Sequence, residues 1–537
     1  MRFLPVNLDA LLVELANLDE TLALFTALQA EPIAGVEEMI PAARTLLIRY
    51  RPSAIDRQTL VDAIAQRDLS QRQAQDSRRV EIPVYYNGED LDEVAALLGI
   101  SREEVIQRHT SADYEVAFCG FAPGFGYLTG GAGFLVPRRP TPRTRIPAGA
   151  VALAGEFSGV YPKASPGGWQ IIGVTPLQMW DLARPEPALL RPGYKVRFRD
   201  AGALPPGGLP APRQPENTVA VGPHYLEVLS PGLQTVLQDL GRAGHSDQGV
   251  SESGALDRSA LRAANRVVGN DSACACLEVV LGGLSFVCHG RTIIAITGAQ
   301  TPIRVTSACG LQWQADNYQP IELDRGDRVS LGAPQAGLRS YLAIRGGFQV
   351  DPVLGSLSYD SLAQIGPLPL KAGDRLGFNE VSGGSSVSVT ENPTFALPTT
   401  IDVVTLDVVM GPRSDWFTEA AIELLSNQPW RVTAQSNRVG IRLEGDVALQ
   451  RCKHDELPSE GTSVGAIQVP ANGQPVLFLA DHPLTGGYPV IASVASYHLD
   501  LAGQIPINAK IRFNPIRKFA ELQANTSFST AAAKDIS

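Results

Sequence analysis

Residues Phe118 to Gly131 read FCGFAPGFGYLTGG, a run dense in glycine and aromatic side chains. Glycines let backbone N–H groups approach a bound group closely, and flanking aromatics wall out water. Gly120, Phe121, Pro123, Gly124 and Tyr127 are therefore candidate binding residues, with a glycine-rich turn carrying core aromatics as the alternative. Arg143 and Arg145 follow in TPRTR. Two guanidinium groups there can clamp a carboxylate or phosphate, or can be paired surface arginines. His109, one of seven histidines, is either a general base suited to neutral pH or a hydrogen-bonded core imidazole.

Near the C-terminus, polar residues interrupt apolar β-like runs: Asn437, Arg438 and Arg442 of SNRVGIR, Gln468 of AIQVP, and Asp481 of LADHPLTGGYP. Asp481 follows Val476-Leu477-Phe478-Leu479-Ala480, and a carboxylate at the end of a buried strand is unfavourable unless paired or functional. Thr485, Gly486, Gly487 and Tyr488 continue this candidate surface. No GxxxxGK[ST] occurs, and no GxGxxG stands at a strand–helix junction, so the usual phosphate loops are absent. The six cysteines lack zinc-ligand spacing and read as buried free thiols; no metal ligands are assigned.

What must position these residues shows in an internal echo. SPGGWQIIG leads to KVRF at 195–198, IRGGFQV to DRLGF at 374–378, and LTGGYPVIA to KIRF at 510–513. Each Gly-Gly-aromatic step suits a tight turn that drops an aromatic into a core before a strand. Repeats this long indicate duplicated domains rather than a solenoid. Gly 51 and Pro 40, spread through 537 residues, favour short strands joined by turns. The expected fold class is mainly β with an α+β N-terminal module. Within residues 1–78, strands at 8–15 and 43–50 alternate with helices at 17–30 and 53–66 in a small, ferredoxin-like module. A strand at 78–86 and two short helices follow, the second capped by Ser101 with Glu104. Domains are expected at 79–200, 218–395 and 396–523, with helices at 256–269 and 414–426. A Pro/Gly-rich linker occupies 201–217 and a polar, disordered tail 524–537.

A net charge of -10 without a Lys/Arg block argues against a nucleic-acid partner. No apolar run approaches the roughly 20 residues of a membrane span, and the N-terminus lacks a signal-peptide pattern, so a cytoplasmic protein is expected.

GFAPGFGYL, TPRTRIPAGAV and YPKASPGGWQIIG resemble the first-subunit family of allophanate-hydrolase-type proteins, also described as Kip-type proteins and as the B subunit of 5-oxoprolinase. SPGLQTVLQDLGRAGHSDQGVSESGALDRSALRAANRVVGN, SNRVGIRLEG and ELPSEGTSVGAIQVPANGQPVLFLADHPLTGGYPVIA resemble the companion second-subunit family, the C subunit of 5-oxoprolinase. The chain thus resembles a fusion of the two. The resemblance implies tandem cyclophilin-like β-barrels, one in the first half and two in the second, similar to the carboxyltransferase domain of urea carboxylase. It also places Asp239, Arg242, Asp257 and Asn265 on motif positions, Asp257 being equally suited to cap a helix. With His109 and Asp481, Asp239 and Asp257 form the candidate catalytic set. Glu156 and His482-Pro483 depart from the family pattern.

The activity so implied is ATP- and Mg2+-dependent opening of the lactam of 5-oxoproline, a small-molecule amide, to glutamate with a separate hydrolytic partner, the A subunit. Such a carbonyl is a poor electrophile, so cations for anionic groups and a base for the amide proton are required. Carboxyl transfer from carboxybiotin to urea or a related amide is an alternative, although the chain has no Met-Lys-Met site for biotin. Regulation of a histidine kinase, as in Kip-type proteins, is another. A homodimer is compatible with the strand-rich duplication.

Overall fold

The computed structural model describes residues 1–69, 78–131, 133–141, 143–203, 222–380 and 387–525. Most of the expected linker and of the expected tail lie outside the described residues.

The N-terminal module is α+β but is not ferredoxin-like. Its strands β1 (Arg2–Asn7), β2 (Ala10–Glu14), β3 (Val36–Pro41) and β4 (Thr45–Tyr50) form an antiparallel sheet in the order β1-β2-β4-β3. Helix α1 (Leu18–Ala30) follows β2 and α2 (Arg57–Ala65) follows β4. The chain therefore runs ββαββα, and each strand expected from sequence is one arm of a hairpin. Pro5 and the acidic pair Glu37-Glu38 mask the other arms. Asn17 caps α1 by accepting from Glu20 N at 2.9 Å. Asp56 caps α2, so the helix starts four residues after the expected 53.

Three strand-rich units follow. In the first, seven strands from Arg79–Val84 to Gln170–Val174 make one sheet. It is nearly closed where Tyr85 and Val174 exchange N–H···O bonds of 2.8 and 2.9 Å. Helices α3 (Leu91–Leu98) and α4 (Arg102–Ser111) cover one end, and Ser101 accepts from Glu104 N at 3.1 Å. In the second unit a six-stranded and a five-stranded sheet share one apolar core, and α5 (Arg258–Val268) packs on the strands Thr292–Gln300 and Ala336–Ile344. The third is a closed seven-stranded barrel. Its helix begins at Glu419 behind the cap Thr418, because Ser414–Trp416 form a separate 3-10 turn.

The echo marks the strand that returns to the start of each unit. Lys195–Asp200 lies parallel to Arg79–Val84, and Lys510–Arg517 parallel to Val403–Met410. Arg375–Gly377 runs antiparallel to Tyr225–Pro231. Phe198, Phe378 and Phe513 are all buried. The aromatic after the glycine pair behaves less uniformly: Trp169 and Phe348 are core residues, whereas Tyr488 is 39% exposed under Arg451. All six cysteines are free, but only Cys119, Cys276 and Cys288 are buried.

Candidate functional site

The glycine-rich loop after strand Tyr114–Cys119 lies at the seam between the two halves of the chain. Phe121 N donates to Thr485 Oγ1 at 3.1 Å, and Gly124 N donates to the Gln248 carbonyl at 2.9 Å. A Cβ on Gly120 would stand 2.5 Å from Thr485 Oγ1, and one on Gly249 would stand 2.5 Å from the Ala122 carbonyl oxygen. These glycines therefore let protein backbone meet protein, where a sequence reading expected backbone meeting ligand. Pro123 and Tyr127 are buried, the latter stacked on Phe118 at 4.3 Å between centroids. Phe121 holds φ 62, a left-handed conformation costing about 1–3 kcal/mol in a non-glycine residue.

Across the seam lies a buried ionic network. Arg438 donates to Asp481 through Nε (2.9 Å) and Nη2 (3.0 Å), and to Glu278 through Nη1 at 2.5 Å. Asp481 also accepts from Ser253 Oγ (2.6 Å) and from Ser361 N and Oγ (2.8 and 2.7 Å). Burial pushes the Asp481 carboxyl up, but Arg438 and these donors hold it below the ordinary carboxylate range. Ser253, like Phe121, has a positive φ, 57°.

Next to Ser361 stands Asp360, 1% exposed, accepting from Ser251 Oγ and Ala363 N at 2.7 Å each. Burial, reinforced by Asp481, raises its pKa to about 6. Arg242, 2% exposed, donates to the Ser358 carbonyl, while its Nε and Nη1 find no hydrogen-bond partner among the described residues. Burial lowers its pKa, opposed by Asp360, Asp239 and Asp481. From the first half comes Lys163, whose pKa burial lowers and Asp360 opposes. Sequence reasoning missed Lys163 and Asp360. Lys163 stands inside the motif YPKASPGGW, and only the fold shows that the charge of Asp360, from the other half, acts on it.

Several expected site residues have structural partners instead. His109 is buried, hydrogen-bonded to Tyr86 Oη (2.7 Å) and Ser158 Oγ (3.0 Å) and stacked on Phe198; burial lowers its pKa to about 3, so it is a neutral core residue. Arg143 is held by both oxygens of Asp90 at 2.7 and 2.8 Å and by Glu89, and Arg145 is exposed. Asp239 accepts from Ser356 Oγ, Leu357 N and Ser358 Oγ, which ties a turn together. Asp257 caps α5 through Ala260 N at 2.8 Å, also accepts from Gln504, and is pushed by burial and Asp500 to about 7. Asn265 donates to the Cys274 carbonyl inside the core. Asn437 and Arg442 are exposed. Gln468 donates to the Tyr488 carbonyl, and Gly486 pairs with Glu460. A Cβ on Gly487 would meet Arg138.

Arg242 and Lys163 thus offer cationic capacity that suits one small carboxylate. Among the described residues no group of three or more His, Cys, Asp or Glu side chains is arranged to hold a metal ion. No helix among the described residues is long and apolar enough to cross a membrane.

Comparison with known proteins agrees with this division. Residues 1–190 match the family described as carboxyltransferase domain, subdomain C and D, and residues 248–515 match carboxyltransferase domain, subdomain A and B. The chain is 37% identical to the C subunit of 5-oxoprolinase from Escherichia coli strain K12 over 298 residues, 54% of this chain and 90% of that protein. It is 41% identical to the B subunit of 5-oxoprolinase from Bacillus subtilis strain 168 over 188 residues, 32% of this chain and 78% of that protein. It is 34% identical to urea amidolyase of Saccharomyces cerevisiae over 319 residues, 56% of this chain but 17% of that much longer protein. The crystal structure of TTHA0988 superimposes with a TM-score of 0.81 at 33% identity, covering 94% of this chain and 99% of that one. The chain belongs to the carboxyltransferase-domain family, with subdomains C and D in its first half and A and B in its second.

Proposed function

We propose that this protein is the fused B- and C-type component of a 5-oxoprolinase, which activates the lactam of 5-oxoproline for ring opening by a separate hydrolytic partner. The observation that carries the reading is the seam itself. Lys163 from the B-type half and Arg242 from the C-type half both feel the charge of Asp360, without an ion pair between them. 5-Oxoproline carries a carboxylate beside a lactam N–H. Arg242, with unused N–H capacity, and Lys163 hold the carboxylate. Asp360, poised near neutrality, accepts the amide proton as the lactam is activated. Asp481 and Arg438 fix Ser361 and thereby position Asp360. ATP with Mg2+ would supply the driving force for activation.

The test is an assay of the purified full chain, ATP, Mg2+ and 5-oxoproline together with the hydrolytic component of a 5-oxoprolinase. ATP-dependent glutamate release is expected; no turnover in the complete mixture removes the reading. A second reading, carboxyl transfer from carboxybiotin on another protein to urea, is favoured by the likeness to urea amidolyase. Urea has no carboxylate, so under that reading Lys163 and Arg242 would serve the carboxylated donor. Activity with urea and a biotinylated partner, absent with 5-oxoproline, would establish it instead.

A further inference from the structure

A cavity of about 240 Å3 lies where the N-terminal module meets both units of the second half, and none of Lys163, Arg242 and Asp360 lines it. Its size is just below the roughly 300–1,000 Å3 of ordinary small-molecule pockets. One wall is aliphatic, formed by Ile40, Leu47, Leu256 and Leu484. The other is charged and unbalanced. Asp9, Glu38, Glu252 and Asp500 share it with Arg49 and Arg258 and with His482, whose ring nitrogens lie against the Leu479 and Thr462 carbonyls and whose pKa burial lowers. Arg49 is engaged by Glu252 at 2.9 Å and Glu38 at 3.6 Å, and Arg258 by Glu252 at 3.4 Å. Asp500 accepts from the backbone N–H groups of Arg258 and Ser259. Asp9 has no cation in direct contact among the described residues; burial raises its pKa against the more distant Arg49 and a hydrogen bond from Ser496, and burial raises that of Glu38 against Arg49. Ser463 Oγ is enclosed without a hydrogen-bond partner, and Arg49 Nε, which faces Glu38 Oε2 at 3.6 Å, is too far from it for a hydrogen bond.

A desolvated carboxylate without a counter-ion calls for a cation. Enclosed donors call for an acceptor oxygen. We infer that this cavity binds a small aliphatic primary amine carrying a carbonyl oxygen, of the amino-acid amide class, with its ammonium toward Asp9 and Glu38 and its oxygen toward Arg49 and Ser463. Because three units line the cavity, such a ligand fastens the N-terminal module to the second half and raises the thermal midpoint with the logarithm of its concentration once above Kd.

Calorimetric titration of the full chain with leucinamide tests this. A saturable one-to-one heat is expected, with no binding of 4-methylpentanamide, which keeps the body and oxygen but lacks the ammonium. Asp9→Asn and Glu38→Gln, each with an unchanged melting profile in the absence of ligand, should each weaken binding about tenfold or more. Ser463→Ala, which removes one donor without touching charge, provides the check if a carboxylate variant fails to fold, and should also weaken binding. The inference is overturned if leucinamide gives no saturable heat, if the uncharged analogue binds equally well, or if the folded variants bind as tightly as the parent.

Discussion

Arg438 and Asp481 meet in a two-bond guanidinium–carboxylate pair, both side chains fully enclosed and both within hydrogen-bond reach of Ser253. Removing one partner of such a pair leaves an uncompensated buried charge and costs about 3–5 kcal/mol. Asp481→Asn is therefore expected to lower the denaturant midpoint substantially and to lower activity by displacing Ser361 and Asp360. Arg438→Met should do at least as much harm, since it leaves Asp481 without its cation and Glu278 with only Arg339 at 3.7 Å. Urea melts followed by fluorescence check this; a fully stable Asp481→Asn protein with lost activity would instead make Asp481 a group in contact with substrate.

Asp360 gives the pH dependence its sign. Its folded pKa of about 6 lies above the unfolded carboxylate value, so the folded chain binds more protons between about 4 and 6. Stability contributed by the protonated form is therefore lost as pH rises through that window. Asp257, raised to about 7, acts in the same direction and extends the fall to about pH 7. Activity runs the other way, because a base must be ionised: kcat/KM should rise to a plateau above about pH 6. Asp360→Asn should abolish turnover and remove one proton's share of the slope between about 4 and 6, whereas Asp257→Asn should remove one proton's share between about 4 and 7. Profiles of kcat/KM and of chemical denaturation over pH 4–8 are the measurements.

Lys163→Met and Arg242→Met should each raise the KM for 5-oxoproline about tenfold to a hundredfold, the range expected when a charge-assisted contact to a carboxylate is lost. Arg143→Met should not, because its charge is already neutralised by Asp90 within one unit. It should instead destabilise that unit, since Asp90 would keep only Arg139 as its cation. Steady-state kinetics beside thermal melts separate the two outcomes.

Which parts were readable before the fold was seen follows a physical division. Local chemistry was legible: Asn17, Ser101 and Asp257 cap helices because short polar side chains satisfy the first free N–H groups. The returning strands were legible because Phe198, Phe378 and Phe513 repeat one pattern. Pairing was not. Asp239, Arg143 and His109 have residue types suited to chemistry, but their partners Ser356, Asp90 and Tyr86 lie 117, 53 and 23 positions away. No spacing rule connects such positions. Lys163 was hidden for the converse reason, since an isolated lysine in a Pro/Ser-rich loop acquires meaning only when Asp360 arrives from the other half. The ferredoxin-like expectation failed because a strand–helix alternation cannot reveal a hairpin whose first arm holds Pro5.

His109 supplies a check on that division. With a pKa of about 3, it is neutral throughout the working range and stacked on Phe198 at 4.2 Å. Its folded pKa is depressed, so the unfolded chain binds more protons between about 3 and 6.5, and this part of the stability is lost as pH falls through that range. His109→Ala should cost about 3 kcal/mol by leaving a cavity and unpaired Tyr86 and Ser158 hydroxyls. The pH at which activity rises should not move. A shift of that limb in the variant would return His109 to the catalytic set.

The seam itself is tested by two glycines that look alike in sequence. A Cβ on Gly120 would meet Thr485, a side chain that can rotate, with Oγ1 at 2.5 Å. A Cβ on Gly249 would meet the Ala122 carbonyl oxygen at 2.5 Å, a backbone atom with no rotamer to change, and Gly249 also holds φ 76. Gly120→Ala should therefore displace Thr485 from Phe121 N, costing about 1 kcal/mol for the lost hydrogen bond. Thr485→Ser in the same chain should recover part of that loss, because it removes Cγ2, the atom 2.7 Å from the added carbon. Gly249→Ala should cost more, adding left-handed strain of about 1 kcal/mol to the forced separation of the two halves, and no substitution at Ala122 relieves a clash with its carbonyl. Denaturant melts of the single and double variants, read with the KM for 5-oxoproline, decide it. Equal losses for the two glycine variants would mean that the loop yields freely and that the halves are not held in register by this contact.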